Sequence, residues 1–226
     1  MYDNYRCCIF DLDGTLINTI YALNKTINLM LGELGYDGIS EAQTKIFVGD
    51  GYRAFVERAL ISKGDERLAG LSRALPLYCR IFEENCLYRV EAYDGMRELL
   101  AYLKEQGLKI AVLTNKAEAQ AVENIETVYG KGYFDLITGE RPGLKKKPDP
   151  CGALYTARTL QAEPKECLYI GDTNVDMKTG AAAGMDTVGA LWGFRTREEL
   201  ESCHPQYLAA APTDIIQIVK NSKKPH

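Results

Sequence analysis

Apolar positions divide this chain of 226 residues into three stretches of different period. Tyr5 to Phe10 is a short, nearly continuous apolar run, the signature of a buried strand. From Asn18 the period becomes helical. Ile20, Leu23, Ile27, Met30, Leu31 and Leu34 form one stripe that Gly35 closes. Ser40–Phe47, Tyr52–Lys63 and Asp65–Tyr88 continue as helical text, and no strand is predicted between Asn18 and Tyr88. From Tyr93 the pattern alternates. Asp94 is placed as the cap of a helix carrying Met96, Leu99, Leu100 and Leu103, with Gly107 at its end. Lys109–Leu113, Phe134–Thr138, Cys167–Ile170 and Thr187–Leu191 read as strands. Helices fall between them, one through Val122, Ile125 and Val128, one begun by Asp149-Pro150, and one over Asn174–Ala183. Such alternation predicts a parallel sheet covered on both faces. The tail from Asn221 is expected to fray.

The composition, 46% apolar and 26% charged, is that of a globular chain able to bury a substantial core. A net charge of −4 argues against nucleic-acid binding, and no apolar run is long enough to span a membrane. The first strand starts so near Met1 that no signal peptide is expected. Seven scattered cysteines without a C-x-x-C pair indicate neither a zinc site nor a disulfide framework, which favours a reducing cytoplasm.

The chemistry concentrates where strands end. Behind Cys7-Cys8-Ile9-Phe10 stands DLDGT, with Asp11, Asp13, Gly14 and Thr15. A strand that delivers two acids at its carboxyl end places them where ligands bind in open α/β sheets. A carboxylate there can attack phosphorus, and a second acid can protonate the leaving oxygen and then activate water. Gly14 permits the sharp turn out of the strand. Thr114 and Asn115 follow the next strand and offer donors to non-bridging oxygens. Gly171-Asp172 follows a later one, with Asp172 a hard oxygen ligand for Mg²⁺. Lys147 precedes Pro148-Asp149-Pro150, whose fixed backbone sets it apart from Lys145 and Lys146, and it offers a charge to phosphate. Asp176 lies one turn beyond Asp172, where it can support the metal or close a capping box with Thr173.

The ordered series FDLDGT, LTNK, KKPDP and GDTNVD resembles the four signature motifs of the haloacid dehalogenase superfamily. The resemblance covers the whole chain. It implies an α/β fold, a three-layer Rossmann-like parallel-sheet core (residues 1–15 and 93–226) with an inserted helical cap domain (residues 16–92). It implies Asp11 as nucleophile, Asp13 as general acid/base, and Thr114 and Lys147 holding phosphate. Asp11, the Asp13 backbone carbonyl and Asp172 would bind Mg²⁺, with Asp176 supporting that shell. The acid at Asp13 separates this chain from dehalogenases and transport ATPases and leaves phosphatases and phosphomutases. The cap is similar to that of phosphoglycolate phosphatase-like members in Val48-Gly49-Asp50-Gly51, Val56–Leu60 and Leu191–Arg195. Asp50 departs from that group's frequent Asn and puts glycolate phosphate in question. Gly51, opening a helix near Tyr52, and Arg53 in its first turn are candidates for gripping a substrate anion.

The expected reaction is Mg²⁺-dependent hydrolysis of a small phosphorylated metabolite, phosphoglycolate or a similar phosphomonoester, through an aspartyl-phosphate. The chain would be a monomer or weak homodimer. The alternative is a phosphomutase of the β-phosphoglucomutase type. A more distant one is a NAD-binding oxidoreductase, suggested by the G-x-G-x-x-A match at Gly49–Ala54.

Overall fold

A computed structural model describes residues 5–222. Strand β1 (Cys7–Phe10) is followed by β2 (Ile17–Asn18) and four helices, α1 (Ile20–Glu33), α2 (Glu41–Phe47), α3 (Tyr52–Ile61) and α4 (Leu71–Asn85). Strand β3 (Glu91–Ala92) brings the chain back. Then come α5 (Met96–Glu105), β4 (Lys109–Ala117), α6 (Glu118–Tyr129), β5 (Leu136–Glu140) and α7 (Cys151–Thr159). The last part runs β6 (Cys167–Gly171), α8 (Asn174–Ala182), β7 (Asp186–Ala190), α9 (Arg197–Glu201), β8 (Tyr207–Ala209) and α10 (Asp214–Ser222).

Six strands form one parallel sheet in the order β5-β4-β1-β6-β7-β8. β1 sits centrally, with Ile9 opposite Ala111 on one side and Tyr169 on the other. Its apolar run lacks alternation because both faces are covered. Cys8 and Phe10 pack with Leu100, Ile110 and Ile170, whereas Cys7 and Ile9 pack with Leu113, Ala153 and Tyr169. β4 and β5 lie on one side of β1 and β6 to β8 on the other, so its carboxyl end is a topological switch point, where such sheets bind ligands.

The helices α1–α4 carry a second apolar cluster, including Leu23, Ile27, Phe55, Tyr78 and Phe82. The short antiparallel pairing of β2 with β3, Ile17 opposite Ala92, lies where the chain leaves and rejoins the sheet. Side chains of the sheet part reach across to backbone carbonyls of the helical part. Arg195 donates to the carbonyls of Lys45, Ile46 and Val48, Asn115 to that of Gly49, and Asn124 to that of Cys86. Among the described residues no helix is long and apolar enough to cross a membrane.

Several boundaries differ from expectation, for local reasons. The stretch from Asp65 is a turn before it is a helix, because the Asp65 carboxylate accepts from the N–H groups of Ala69 and Gly70. Gly95, in the left-handed region at φ 78°, holds the cap position expected of Asp94. Pro150 occupies the cap position of α7, while the Asp149 carboxylate accepts from Cys151 N–H. Strand β5 starts two residues late because Phe134 packs in an edge contact against Tyr129, 5.5 Å between centroids. Asn221 and Ser222, expected to fray, close α10, whose Ile215, Ile216 and Val219 are buried; the rest of that tail lies outside the described residues.

Candidate active site

Asp11 continues β1, its N–H donating to Ile170 O at 2.9 Å, so its carboxylate stands at the switch point. A tight turn follows, in which the N–H groups of Leu16 and Ile17 both reach Leu12 O. Gly14 adopts φ +85°, and a Cβ there would lie 2.4 Å from Asp172 Oδ2. Both the backbone conformation and the crowding require glycine. Thr15 Oγ1 donates to Asp172 Oδ1 at 2.7 Å, and Phe194 N–H donates to Asp172 Oδ2 at 2.8 Å.

Asp11, Asp172 and Asp176 are all buried, and each offers an oxygen within 4.8 Å of the other two. Lys147 enters this group from the loop before α7. Its ammonium lies 2.8 Å from Asp11 Oδ1 and 2.6 Å from Asp176 Oδ1. Lys145 and Lys146 pair instead with Asp149 and Glu140 near the surface. Asp176 closes the capping box with Thr173 and faces Lys147. Oδ2 accepts from Thr173 N–H and Oγ1–H, closing the capping box of α8, while Oδ1 faces Lys147.

Burial, the Asp176 charge and the nearby Asp13 push the Asp11 carboxyl up to about 7, against the opposing pull of Lys147. Burial, then the charges of Asp176 and Asp11, push Asp172 up to about 8. For Lys147 burial alone would favour the neutral amine, but Asp11 and Asp176 outweigh it and hold the ammonium well above the ordinary lysine range. Three carboxylates around one ammonium leave a formal surplus of two negative charges. All the donors are hard oxygens, without Cys or His in the cluster. That donor set and that charge deficit suit a divalent cation such as Mg²⁺.

Asp13 stands to the side of this cluster. Its Oδ1 accepts from Thr19 Oγ1 at 2.7 Å and from Lys116 Nζ at 2.5 Å. Lys116 is buried and also donates to Asn124 Oδ1 at 2.9 Å. The sequence reading gave it no role. β4 continues to Ala117 with a register shift after Leu113, and Thr114 and Lys116 both line the cavity. Thr114 is buried at the cavity, and its hydroxyl accepts from Lys116 N–H at 3.2 Å. Asn115 lines the cavity too, but its side-chain amide is committed to backbone. Oδ1 accepts from Lys147 N–H at 2.9 Å, while Nδ2 donates to Lys147 O at 3.1 Å.

A cavity of about 260 Å³ opens from Asp11 and Asp13 toward α3 and α4. Gly51, the cap residue of α3 at φ 88°, lines it as expected. Arg53 does not. Tyr52 and Phe55 take the cavity side of α3, which turns Arg53 outward, where it pairs with Glu57 at 2.9 Å. Residues adjacent on a helix point about 100° apart, so the two flanking aromatics exclude it. Asp50 is likewise no free charge at the entrance, because Arg58 pairs with it at 2.5 Å. The Gly49–Ala54 segment joins α2 to α3 with no strand before it, which removes the dinucleotide-binding context.

Known proteins resemble this chain in sequence and fold. The sequence profile of the haloacid dehalogenase-like hydrolases matches residues 8–190. A phosphoglycolate phosphatase of Aquifex aeolicus (strain VF5) is 32% identical over 216 residues, covering 96% of this chain and 97% of that protein. A phosphoglycolate phosphatase of Nitrosospira multiformis is 32% identical over 84% of each chain. Among solved structures, a "predicted phosphoglycolate phosphatase" of Haemophilus somnus 129pt superposes with a TM-score of 0.88 at 24% identity, covering 95% of this chain and 97% of that one. That last likeness is one of fold.

Proposed function

This chain belongs to the haloacid dehalogenase-like hydrolase family and is a phosphatase, and from that premise we propose Mg²⁺-dependent hydrolysis of a small phosphomonoester through an aspartyl-phosphate. The observation that carries the reading is the buried Asp11–Asp172–Asp176 group around Lys147. Asp11, Asp172 and the Asp13 backbone carbonyl would hold the Mg²⁺, with Asp176 behind them. Bound there, Mg²⁺ would offset the repulsion between Asp11 and an incoming phosphate.

The chain's own groups supply the rest. Asp11 forms a bond to phosphorus as the bond to the leaving oxygen breaks. Asp13, held in place by Thr19 and Lys116, gives its proton to that oxygen and later takes one from the attacking water. Lys147 and Thr114 steady the phosphoryl oxygens. Asn115 acts through Lys147, clamping its backbone on both sides. We read residues 16–92 as a cap over the core formed by 1–15 and 93–226. Its closure on the cavity would exclude bulk water during transfer. All seven cysteines are free, which suits a reducing cytoplasm. Phosphoglycolate, the compound in its relatives' name, is the reference substrate.

The test is phosphate release with Mg²⁺ titrated back into chelated protein, alongside Asp11→Asn. We expect loss of turnover on chelation, recovery with Mg²⁺, and no turnover by Asp11→Asn. Full activity in excess chelator, or a turning-over Asp11→Asn, refutes the mechanism.

A further inference from the structure

We propose that the preferred substrate of this phosphatase carries an uncharged leaving group with a ring-like apolar face and a hydrogen-bond donor, rather than a carboxylate. The inference rests on the proposed hydrolysis and concerns the far end of the same cavity.

The wall opposite the acids is apolar, made by Leu23, Val48, Phe55, Tyr78, Phe82 and Phe194. Its aromatic rings are ordered into a row. Tyr78 and Phe82 stack at 5.7 Å with planes 12° apart, and Tyr52 stacks on Tyr78 at 6.3 Å and 10°. Phe55, which also lines the cavity, meets Tyr78 edge-on at 5.9 Å. An aromatic, apolar wall of this kind favours an apolar group over a solvated anion.

The wall is tied to the chemistry by Lys116. Its Nζ touches Asp13 at 2.5 Å and lies 5.4 Å from the centroid of Phe82. Asp13 is the group that protonates the leaving oxygen, so the atoms attached to that oxygen extend along Phe82 and Tyr78. Among the described residues lining the cavity Lys116 is the only cation, and its ammonium is committed to Asp13 and Asn124. Arg53 is turned away. A carboxylate on the leaving group would therefore meet aromatic rings and the carboxylate of Glu83, which also lines the cavity. An unpaired anion in such surroundings is strongly disfavoured.

The wall does contain acceptors. Gln120 lines the cavity, and its Oε1 is buried without any hydrogen bond from the described residues. A buried acceptor left unpaired is costly, and a ligand N–H or O–H would satisfy it. Glu83 offers a second acceptor. Both select a donor.

Four primary-alcohol phosphates separate the features: phosphoglycolate, benzyl phosphate, 4-(hydroxymethyl)benzyl phosphate and 4-carboxybenzyl phosphate. With Mg²⁺ present, kcat/KM for the hydroxymethyl probe should exceed those for the carboxybenzyl probe and phosphoglycolate by about tenfold or more. Gln120→Leu should raise KM for the hydroxymethyl probe about tenfold more than KM for benzyl phosphate. A preference for either carboxylate-bearing substrate, or an equal response of both probes to Gln120→Leu, overturns the proposal while leaving the phosphatase reading intact. Calorimetric binding of the same esters to Asp11→Asn provides a second readout. If the native protein hydrolyses none of them, the hydrolysis reading fails, and this ranking alone decides whether the wall selects an uncharged ring.

Discussion

Raising the pH from 5 to 8 should lower the thermal stability of the metal-free protein, and Mg²⁺ should remove most of that loss. The perturbation acts on Asp11 and Asp172, whose carboxyls burial and the charge of Asp176 push from 3.8 up to about 7 and about 8. A carboxyl raised in the folded state binds its proton more tightly there than in the unfolded chain. Stability is then fullest below pH 4 and falls as pH rises toward the folded value. Because part of the rise at Asp172 comes from the charge of Asp11, we count a single proton. Between pH 5 and about 7 the slope is ~1.4 kcal/mol per pH unit, which accumulates to about 3 kcal/mol by pH 8. For a chain of this size that corresponds to a fall in Tm of about 6–12 °C. Other groups do not mask it. The charge on Lys147 stabilises throughout this window, since its folded value is raised further above 10.5. Asp149, held down at about 2, loses its contribution only in more acidic solution. Scanning calorimetry in chelator and in saturating Mg²⁺, at half-unit steps of pH, reads the effect directly. Asp172→Asn should shrink the slope in chelator. A flat metal-free profile would refute the reasoning, as would a slope that Mg²⁺ leaves unchanged.

Other perturbations probe single links of the site. Asp13→Asn should slow turnover by about 10²–10⁴-fold, measured as steady-state phosphate release; a native rate would reduce Asp13 to a turn residue. Lys116→Met leaves the Asp13 carboxylate without its cation, so we expect about 2–3 kcal/mol lower stability by urea titration and at least about tenfold slower turnover. Unchanged values for both would show the ion pair to be incidental. Gly193→Ala puts a Cβ 2.2 Å from the Asp172 Cβ and must displace that side chain. The Mg²⁺ concentration for half-maximal activity should rise about 10–100-fold, and an unaltered requirement would remove Asp172 from the metal site.

What the sequence made legible and what it did not divide along a physical line. Strand ends announce themselves, because a buried parallel strand needs an unbroken apolar run and the first polar residue after it falls at one edge of the sheet. Asp11, Thr114 and Asp172 were found that way, and Lys147 from the stiff prolines that follow it. Residues whose placement depends on phase within a helix, or on how far a strand runs, were not. Arg53 and Tyr52 are neighbours in sequence, and only the packing of α3 against α4 decides which of them meets the cavity. Lys116 escaped because β4 was ended at Leu113, which left its direction unspecified. The edges of Asp65–Tyr88 and Phe134–Thr138 failed for a similar reason, since one aspartate or one aromatic contact outweighs a local propensity.

Asn115 shows why chemistry-bearing residue types alone under-determine roles. An amide beside a phosphate site invites assignment as a donor to substrate, yet both ends of this one bond to the backbone of Lys147. Lys147 must reach between Asp11 and Asp176 from a loop, and a loop has no ladder of its own to hold it. The amide supplies that missing ladder: its carbonyl accepts where a neighbouring strand's carbonyl would, and its amino group donates where a backbone N–H would. Its remaining contact, to Gly49 O at 3.2 Å, links the Lys147 loop to the segment that opens α3. This side chain joins the lysine of the core to Gly49 of the helical unit, next to the residues that line the cavity. The Lys147 loop and the mouth of the cavity thus share one fixed point, which no spacing rule along the chain could have revealed.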